Sequence, residues 1–218
     1  MIPANAQVFT NIDEMTGWAQ CDKCAGANGN GPVTPHAMAQ LLPTPALDGK
    51  STQFTISPTA AYGDALWWKQ LGAKPNATHF VYDLWFYIQN PTVSQALEFD
   101  ANQSLGGHKY IFGTQCNLRG SKQWEIWTSS QHWAATGVSC SAITGMAWHH
   151  LVWEFERTSS SQVHFVAVTL DGTRSYLDKL ADPIASSAKE LNVAFQMDAD
   201  SKQDSYSVWL DKVQLTYW

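Results

Sequence analysis

The 218 residues carry a net charge of −6 with only 15% charged side chains, a balance that argues against a nucleic-acid binder working through a basic surface. No apolar run reaches the roughly 18–20 residues that cross a bilayer as a helix, so no membrane span is expected. The length suits one domain, residues 1–218, and is ordinary for an all-β sandwich.

Eleven tryptophans are more than a core of this size requires. Their rings bury well, but each indole N–H wants a partner, which favours half-wet surfaces. The N-terminus, MIPANAQVF, lacks the charged and apolar regions of a signal peptide, so Met1 reads as the start of a fragment of a larger multidomain protein.

Along the chain, residues 8–17 include a short strand, and the Gly/Asn/Pro-rich stretch 25–35 is a loop on composition. Asp48–Gly49 signals a turn into a strand near 52–57, and AAYGDALWWKQL reads as a strand with Trp67 and Trp68. Residues 79–103 read as two strands joined by an Asn90–Pro91 turn. On the first, Phe80, Tyr82, Leu84, Phe86 and Ile88 share one face, and Asp83, Trp85 and Tyr87 the other. On the second, Leu97, Phe99 and Ala101 alternate with Glu98, Asp100 and Asn102. As a pair they predict a core side and a wet side of acids, amides and flat rings.

Strands follow at 109–116 and 122–128, then a Ser/Thr/Gly-rich loop with His132, Trp133 and Cys140. WHHLVWEFER and residues 163–170 form a hairpin, and Asp171–Gly172 turns the chain into RSYLDKL. Residues 183–189 suggest one helical turn, and LNVAFQMDA and SYSVWLDKVQLTYW are the last strands. Short strands with turn signals about every ten residues predict an all-β, antiparallel β-sandwich (jelly roll) of two curved sheets.

Four cysteines allow three pairings. The Cys21-x-x-Cys24 motif is open to half a zinc site, a redox pair or a local disulfide. It lacks both a βαβ context and two further zinc ligands nearby. We expect Cys21–Cys24 and Cys116–Cys140 disulfides and an oxidising compartment.

The stretch WHHLVWEFERTSSSQVHFVAVTLDGTRSYL resembles the Trp-His-His strand, hairpin and Asp-Gly turn of the concanavalin A-like lectin/glucanase superfamily, laminin-G-like members included. The ending SVWLDKVQLTYW resembles that superfamily's terminal strand, and together these cover the last third of the chain. The C-x-x-C loop, ALWWKQL and the LEFDANQ strand are also similar to secreted bacterial domains of no assigned activity. The resemblance implies a secreted or cell-surface bacterial domain whose concave face carries glycan.

Within that resemblance, Glu98-Phe-Asp100-Ala-Asn102-Gln103 is similar to the E-x-D-x-E strand of retaining β-glucanases. Glu98 matches the nucleophile and Asp100 its helper, but the acid/base position holds Asn102 or Gln103, which cannot pass a proton. A glycoside hydrolase would then need Glu154 or Glu156 as acid/base, with the two carboxyls close together. A lyase site would assemble Gln115, Tyr110, His108 and His150, yet none of the three arginines sits beside them. Asp198, Asp200 and Asp204 offer carboxylates to a structural calcium ion, without the spacing of an EF-hand.

The reading preferred from the sequence is a carbohydrate-binding domain for a polysaccharide or other glycan. Trp85, Tyr87 and Trp127 would stack on sugars, while Asp83, Glu98, Asp100, Asn102, Gln115 and His150 would hydrogen-bond hydroxyls. The alternatives are the hydrolase and a structural adhesion module with no small ligand, its aromatics serving core and interface. His149 is expected to be a satisfied buried imidazole.

Overall fold

A computed structural model describes residues 2–24, 32–128, 130 and 132–218; residues 25–31 of the Gly/Asn-rich loop lie outside it. The described strands are β1 (Gln7–Phe9), β2 (Ala19–Cys21), β3 (His36–Leu42), β4 (Ser51–Ile56), β5 (Asp64–Gln70) and β6 (His79–Ile88). Then come β7 (Ser94–Leu105), β8 (His108–Phe112), β9 (Thr114–Cys116), β10 (Gln123–Trp127), β11 (Trp133–Ser139) and β12 (Trp148–Arg157). The last are β13 (Val163–Leu170), β14 (Thr173–Ala181), β15 (Ile184–Ala185), β16 (Glu190–Ala199) and β17 (Tyr206–Tyr217).

They form two antiparallel sheets. One has eight strands in the order β14-β13-β12-β6-β17-β4-β3, with β1 on β17. The other has nine, in the order β11-β10-β9-β7-β16-β5-β2, with β8 joining β7 to β15. The predicted sandwich is therefore the observed one.

The alternation of apolar and polar residues explains why the sheets face each other as they do. Phe54, Phe80, Phe86 and Trp153 of the eight-stranded sheet meet Phe195, Phe112, Phe99 and Trp124 of the nine-stranded sheet. Their centroid separations run, in that order, 5.0, 5.3, 5.2 and 5.3 Å. Trp67, Trp124 and Trp153 are fully buried in this seam, whereas Trp68, Trp85, Trp127, Trp133, Trp148 and Trp209 are half-buried. The excess of tryptophan over core demand thus lies largely on the outer faces.

The Asp171–Gly172 turn joins β13 to β14 with φ of 49° and 82°. Two positive φ values are what a tight hairpin turn matched to strand twist requires. Both expected disulfides, Cys21–Cys24 and Cys116–Cys140, are formed. His149 is buried and satisfied, its Nδ1 2.7 Å from Asp171 Oδ2 and its Nε2 accepting from the Thr144 amide at 3.0 Å.

Three expectations are corrected. Residues 183–189 form no helical turn; Ile184 pairs with Lys109 as strand β15. The Ser/Thr/Gly-rich segment after β10 contains β11, held by its pairing with β10 rather than by its own propensity. Most consequentially, β6 and β7 are not a hairpin. After Asn90, whose side chain accepts from the Thr92 amide at 3.0 Å, a 3-10 turn at Pro91–Val93 carries the chain from one sheet to the other.

The seam predicts a contrast in mutational cost. Phe99→Ala should cost about 3–5 kcal/mol, the usual range for emptying a buried aromatic site. Trp148→Ala, on an outer face, should cost about 1 kcal/mol or less. Urea midpoints of the two variants check this, and equal losses would refute the assignment of core and face.

Candidate functional site

Because β6 and β7 lie in different sheets, the single wet face expected from residues 79–103 becomes two faces on opposite sides of the sandwich. Asp83, Trp85, Tyr87 and His150 lie outside the eight-stranded sheet, while Glu98, Asp100, Asn102, Gln115 and Trp127 lie outside the nine-stranded one.

On the nine-stranded sheet, register builds a continuous polar mat. Gln196, Glu98, Gln115 and Glu125 are successive cross-strand neighbours on β16, β7, β9 and β10. All four are at most 8% exposed, although they point away from the core. Gln196 Nε2 donates to Glu98 Oε1 at 2.7 Å and to Asp198 Oδ1 at 2.9 Å. Gln115 Nε2 donates to Glu125 Oε2 at 2.5 Å, and Asn117 and Ser121 donate to its other oxygen. Asn102 donates to Asn192 across β7 and β16 at 3.1 Å.

Two indoles flank the mat. Trp68 on β5 leads through Ala194 to Asp100, and beyond Asp100 the backbone of Gly113 touches Trp127 on β10. A Cβ on Gly113 would stand 2.8 Å from the Trp127 Cβ, so only glycine lets the indole lie that close to the neighbouring strand. Trp133 packs edge-on against Trp127 with centroids 5.1 Å apart. Four strand spacings separate β5 from β10, about 19 Å at the usual spacing. That is room for several sugar rings in a row.

Burial dominates the electrostatics of the mat. Asp64, Asp100 and Asp198 are each pushed up to about 7. Burial is the first cause for all three. Asp198 adds repulsion at Asp64 and Asp100 at Asp198, while the Thr114 amide partly offsets the shift at Asp100. Glu98 is held well above the usual carboxyl range by burial, then by Asp198, Asp100 and Asp64. Near neutral pH the mat therefore holds protonated carboxyls that donate as well as accept. With amides and indole faces, this donor–acceptor set can match ring hydroxyls.

Other expected groupings are not formed. Glu154 is held bidentately by Arg174 at 2.7 and 2.9 Å, and Glu156 lies 3.1 Å from His164 and 3.7 Å from His79, all on the eight-stranded sheet. With the sheets about 10 Å apart and the carboxyls leaving from opposite outer faces, neither glutamate approaches Glu98 within the roughly 5–9.5 Å of two-carboxylate hydrolysis. Gln103 turns inward, donating to the Lys74 and Ala77 carbonyls at 2.9 Å and accepting from Arg157, so the third motif position is Asn102. His150 and Gln115 lie in different sheets, which dissolves the lyase grouping.

Asp198, Asp200 and Asp204 do not converge on a calcium site: Asp198 joins the mat, Asp200 faces Arg119 at 3.4 Å and Asp204 is exposed. Among the described residues no group of three His, Cys, Asp or Glu is placed to hold a metal. Sequence reasoning missed Trp68, Glu125, Asn192 and Gln196. The alternation in LNVAFQMDA and QWEIW was the available signal for all but Trp68.

The sandwich is similar to several solved structures. One is the conserved carbohydrate esterase of the Shiga toxin-encoding bacteriophage phi24B, with 14% identity, 98% of this chain and 99% of that one covered, and a TM-score of 0.54. A second is the cellulose induced protein Cip1, with 10% identity, 92% and 91% covered, and a TM-score of 0.53. A third is arcelin-5, a lectin-like defence protein from Phaseolus vulgaris, with 10% identity, 99% of each chain covered, and a TM-score of 0.52. What the chain shares with them is the fold, a β-sandwich of two antiparallel sheets. The sequence matches no family model and no curated protein, so the likeness is one of architecture.

The mat gives stability a definite pH slope. Carboxyls raised from near 4 to about 7 leave the native state with more bound protons than the unfolded chain in that window. Their stabilising contribution is full below pH of about 4 and is lost as pH rises towards about 7. Asp13, pushed up to about 7 by burial against the eight-stranded sheet, adds to the slope. The melting temperature should be higher at pH 5 than at pH 8, and Asp100→Asn with Asp198→Asn should flatten the difference. A melting temperature that rises over this range would contradict the assignment.

Proposed function

We propose that the chain is a secreted carbohydrate-binding domain whose polysaccharide ligand lies along the outer face of the nine-stranded sheet. The observation that carries this reading is the hydrogen-bonded mat of Gln196, Glu98, Gln115 and Glu125, buried on the side away from the core and flanked by Trp68 and Trp127. Sugar rings present apolar C–H faces and a rim of hydroxyls. Indoles at either end suit the faces, and carboxyls and amides between them suit the rim.

The neighbouring folds, one a lectin-like defence protein and another a carbohydrate esterase, agree with a glycan ligand. Two disulfides fit an oxidising, extracellular setting. Binding needs no second carboxyl, whereas hydrolysis by Glu98 with Glu154 or Glu156 lacks its geometry.

Pull-down on a panel of soluble and insoluble polysaccharides, with reducing ends assayed in the same samples, tests the reading. We expect binding without release of reducing ends, weakened about tenfold by Trp127→Ala, the scale of one lost aromatic contact. Glu98→Gln should weaken binding less, since the amide keeps a donor and an acceptor. Release abolished by Glu98→Gln would replace this reading with an enzyme, and binding indifferent to Trp127→Ala would remove the ligand from this face.

A further inference from the structure

The outer face of the eight-stranded sheet plays no part in that reading, yet it holds a cavity the fold has built. A cleft of about 370 Å³ is lined there by Asp83, Trp85, His150, Asp48, Lys212 and Gln214, with Asn11 beside them. Its existence follows from a break in a ladder. The pairing of β17 with β6 shifts between Asp211 and Gln214, opening the sheet beside Trp85. Bulges of this kind re-aim side chains. Here Lys212 takes a φ of 53° and Asn11 a φ of 50°, left-handed conformations that favour glycine and that persist where surrounding contacts enforce them.

Those contacts are present. Asp13, 1% exposed, accepts from the Val213 amide at 3.0 Å and pins the bulge from within. Asp211, also 1% exposed, accepts from the Leu47 amide at 2.6 Å and ties down the loop that brings Asp48 to the cleft.

Trp85 is presented as a plate. The His150 ring stacks on it at 4.6 Å with planes 9° apart, and Asp83 Oδ1 holds His150 Nε2 at 2.8 Å. His150 comes from β12, on one side of β6, which leaves the second indole face turned towards β17 and the opened ladder. The lining mixes two carboxylates with a lysine and an imidazole, so the cleft has no strong field of one sign to select an ion. Its size is near the lower end for small-molecule sites, enough for one or two sugar rings rather than a long chain.

We propose that this cleft is a second carbohydrate-binding site, taking the end of a neutral sugar chain with a ring stacked on Trp85, so that one copy of the protein joins two glycan chains on opposite faces. The ligand class rests on the function proposed above; the site itself rests on the bulge, its two buried anchors and the stacked indole. The two sites differ in form, one a row of polar side chains between two indoles and the other a short open cleft beside a single indole.

Titration of the intact protein with cellotetraose, laminaritetraose and mannotetraose tests this, with heat and the indole N–H resonances of Trp85 and Trp127 recorded together. We expect about two sugars per chain and shifts at both indoles. Trp85→Ala should remove one class of site and leave the Trp127 shift, and Trp127→Ala should do the reverse. Lys212→Gly relieves the left-handed strain and so preserves folding; it should weaken only the Trp85 class. A single class lost in Trp127→Ala and indifferent to Trp85→Ala overturns the second site while leaving the proposed function standing. A single class lost only in Trp85→Ala upholds the cleft and overturns the site on the nine-stranded sheet. Absence of binding by all three sugars and their parent polymers overturns both.

Discussion

The aromatic seam between the sheets is the constraint on which everything else in this molecule depends. Side chains in a strand alternate, so the inward set dictates the outward set, and a slip of one residue would exchange them. Phe99 against Phe86 and Phe195, and Trp124 against Trp153, fix which residues of β7, β16, β10 and β12 face water. The polar mat is the complement of that packing. Glu98, Gln196 and Glu125 stand together because Phe99, Phe195 and Trp124 do.

The mat is an electrostatic expense that the seam allows. Four carboxyls raised by burial, three of them also by neighbouring carboxylates, do not stabilise a fold near neutral pH. A sequence selected for stability alone would place threonine or valine there. Retaining acids on the outer face of a sheet is understandable where that face has a ligand to meet, and the indoles at its flanks point the same way.

Much of the architecture was legible because period-two alternation survives in the long central strands. β12 and β13 were readable to the residue, since WHHLVWEFER alternates cleanly and Asp171–Gly172 marks the turn that follows. What could not be read was partnership. Nothing in the string distinguishes a hairpin at Asn90–Pro91 from a crossing between layers, because both need a turn with proline. That one ambiguity sent Trp85 and Glu98 to a common face on paper and to opposite faces in the molecule. Edge strands were harder still. β11, rich in Ala, Thr, Gly and Ser, is a strand only because β10 offers it a ladder. The cleft beside Trp85 depends on a bulge, and a bulge leaves no trace in alternation until both partner strands are known.

The place of β17 has a bearing on how the chain acquires its shape. This strand lies between β6 and β4 and also carries β1, so the eight-stranded sheet is in separate pieces until residues 206–217 are available. Its partners are more than a hundred residues earlier in the chain, and loop closure over such distances is slow. During synthesis, at about 5–20 residues per second, Phe54, Phe80 and Phe86 must wait for many seconds beside an incomplete sheet. The open edges of β4 and β6 are then templates for the wrong strand. A chain that cannot finish its central sheet early closes its fold late, with its last strand as the closing piece.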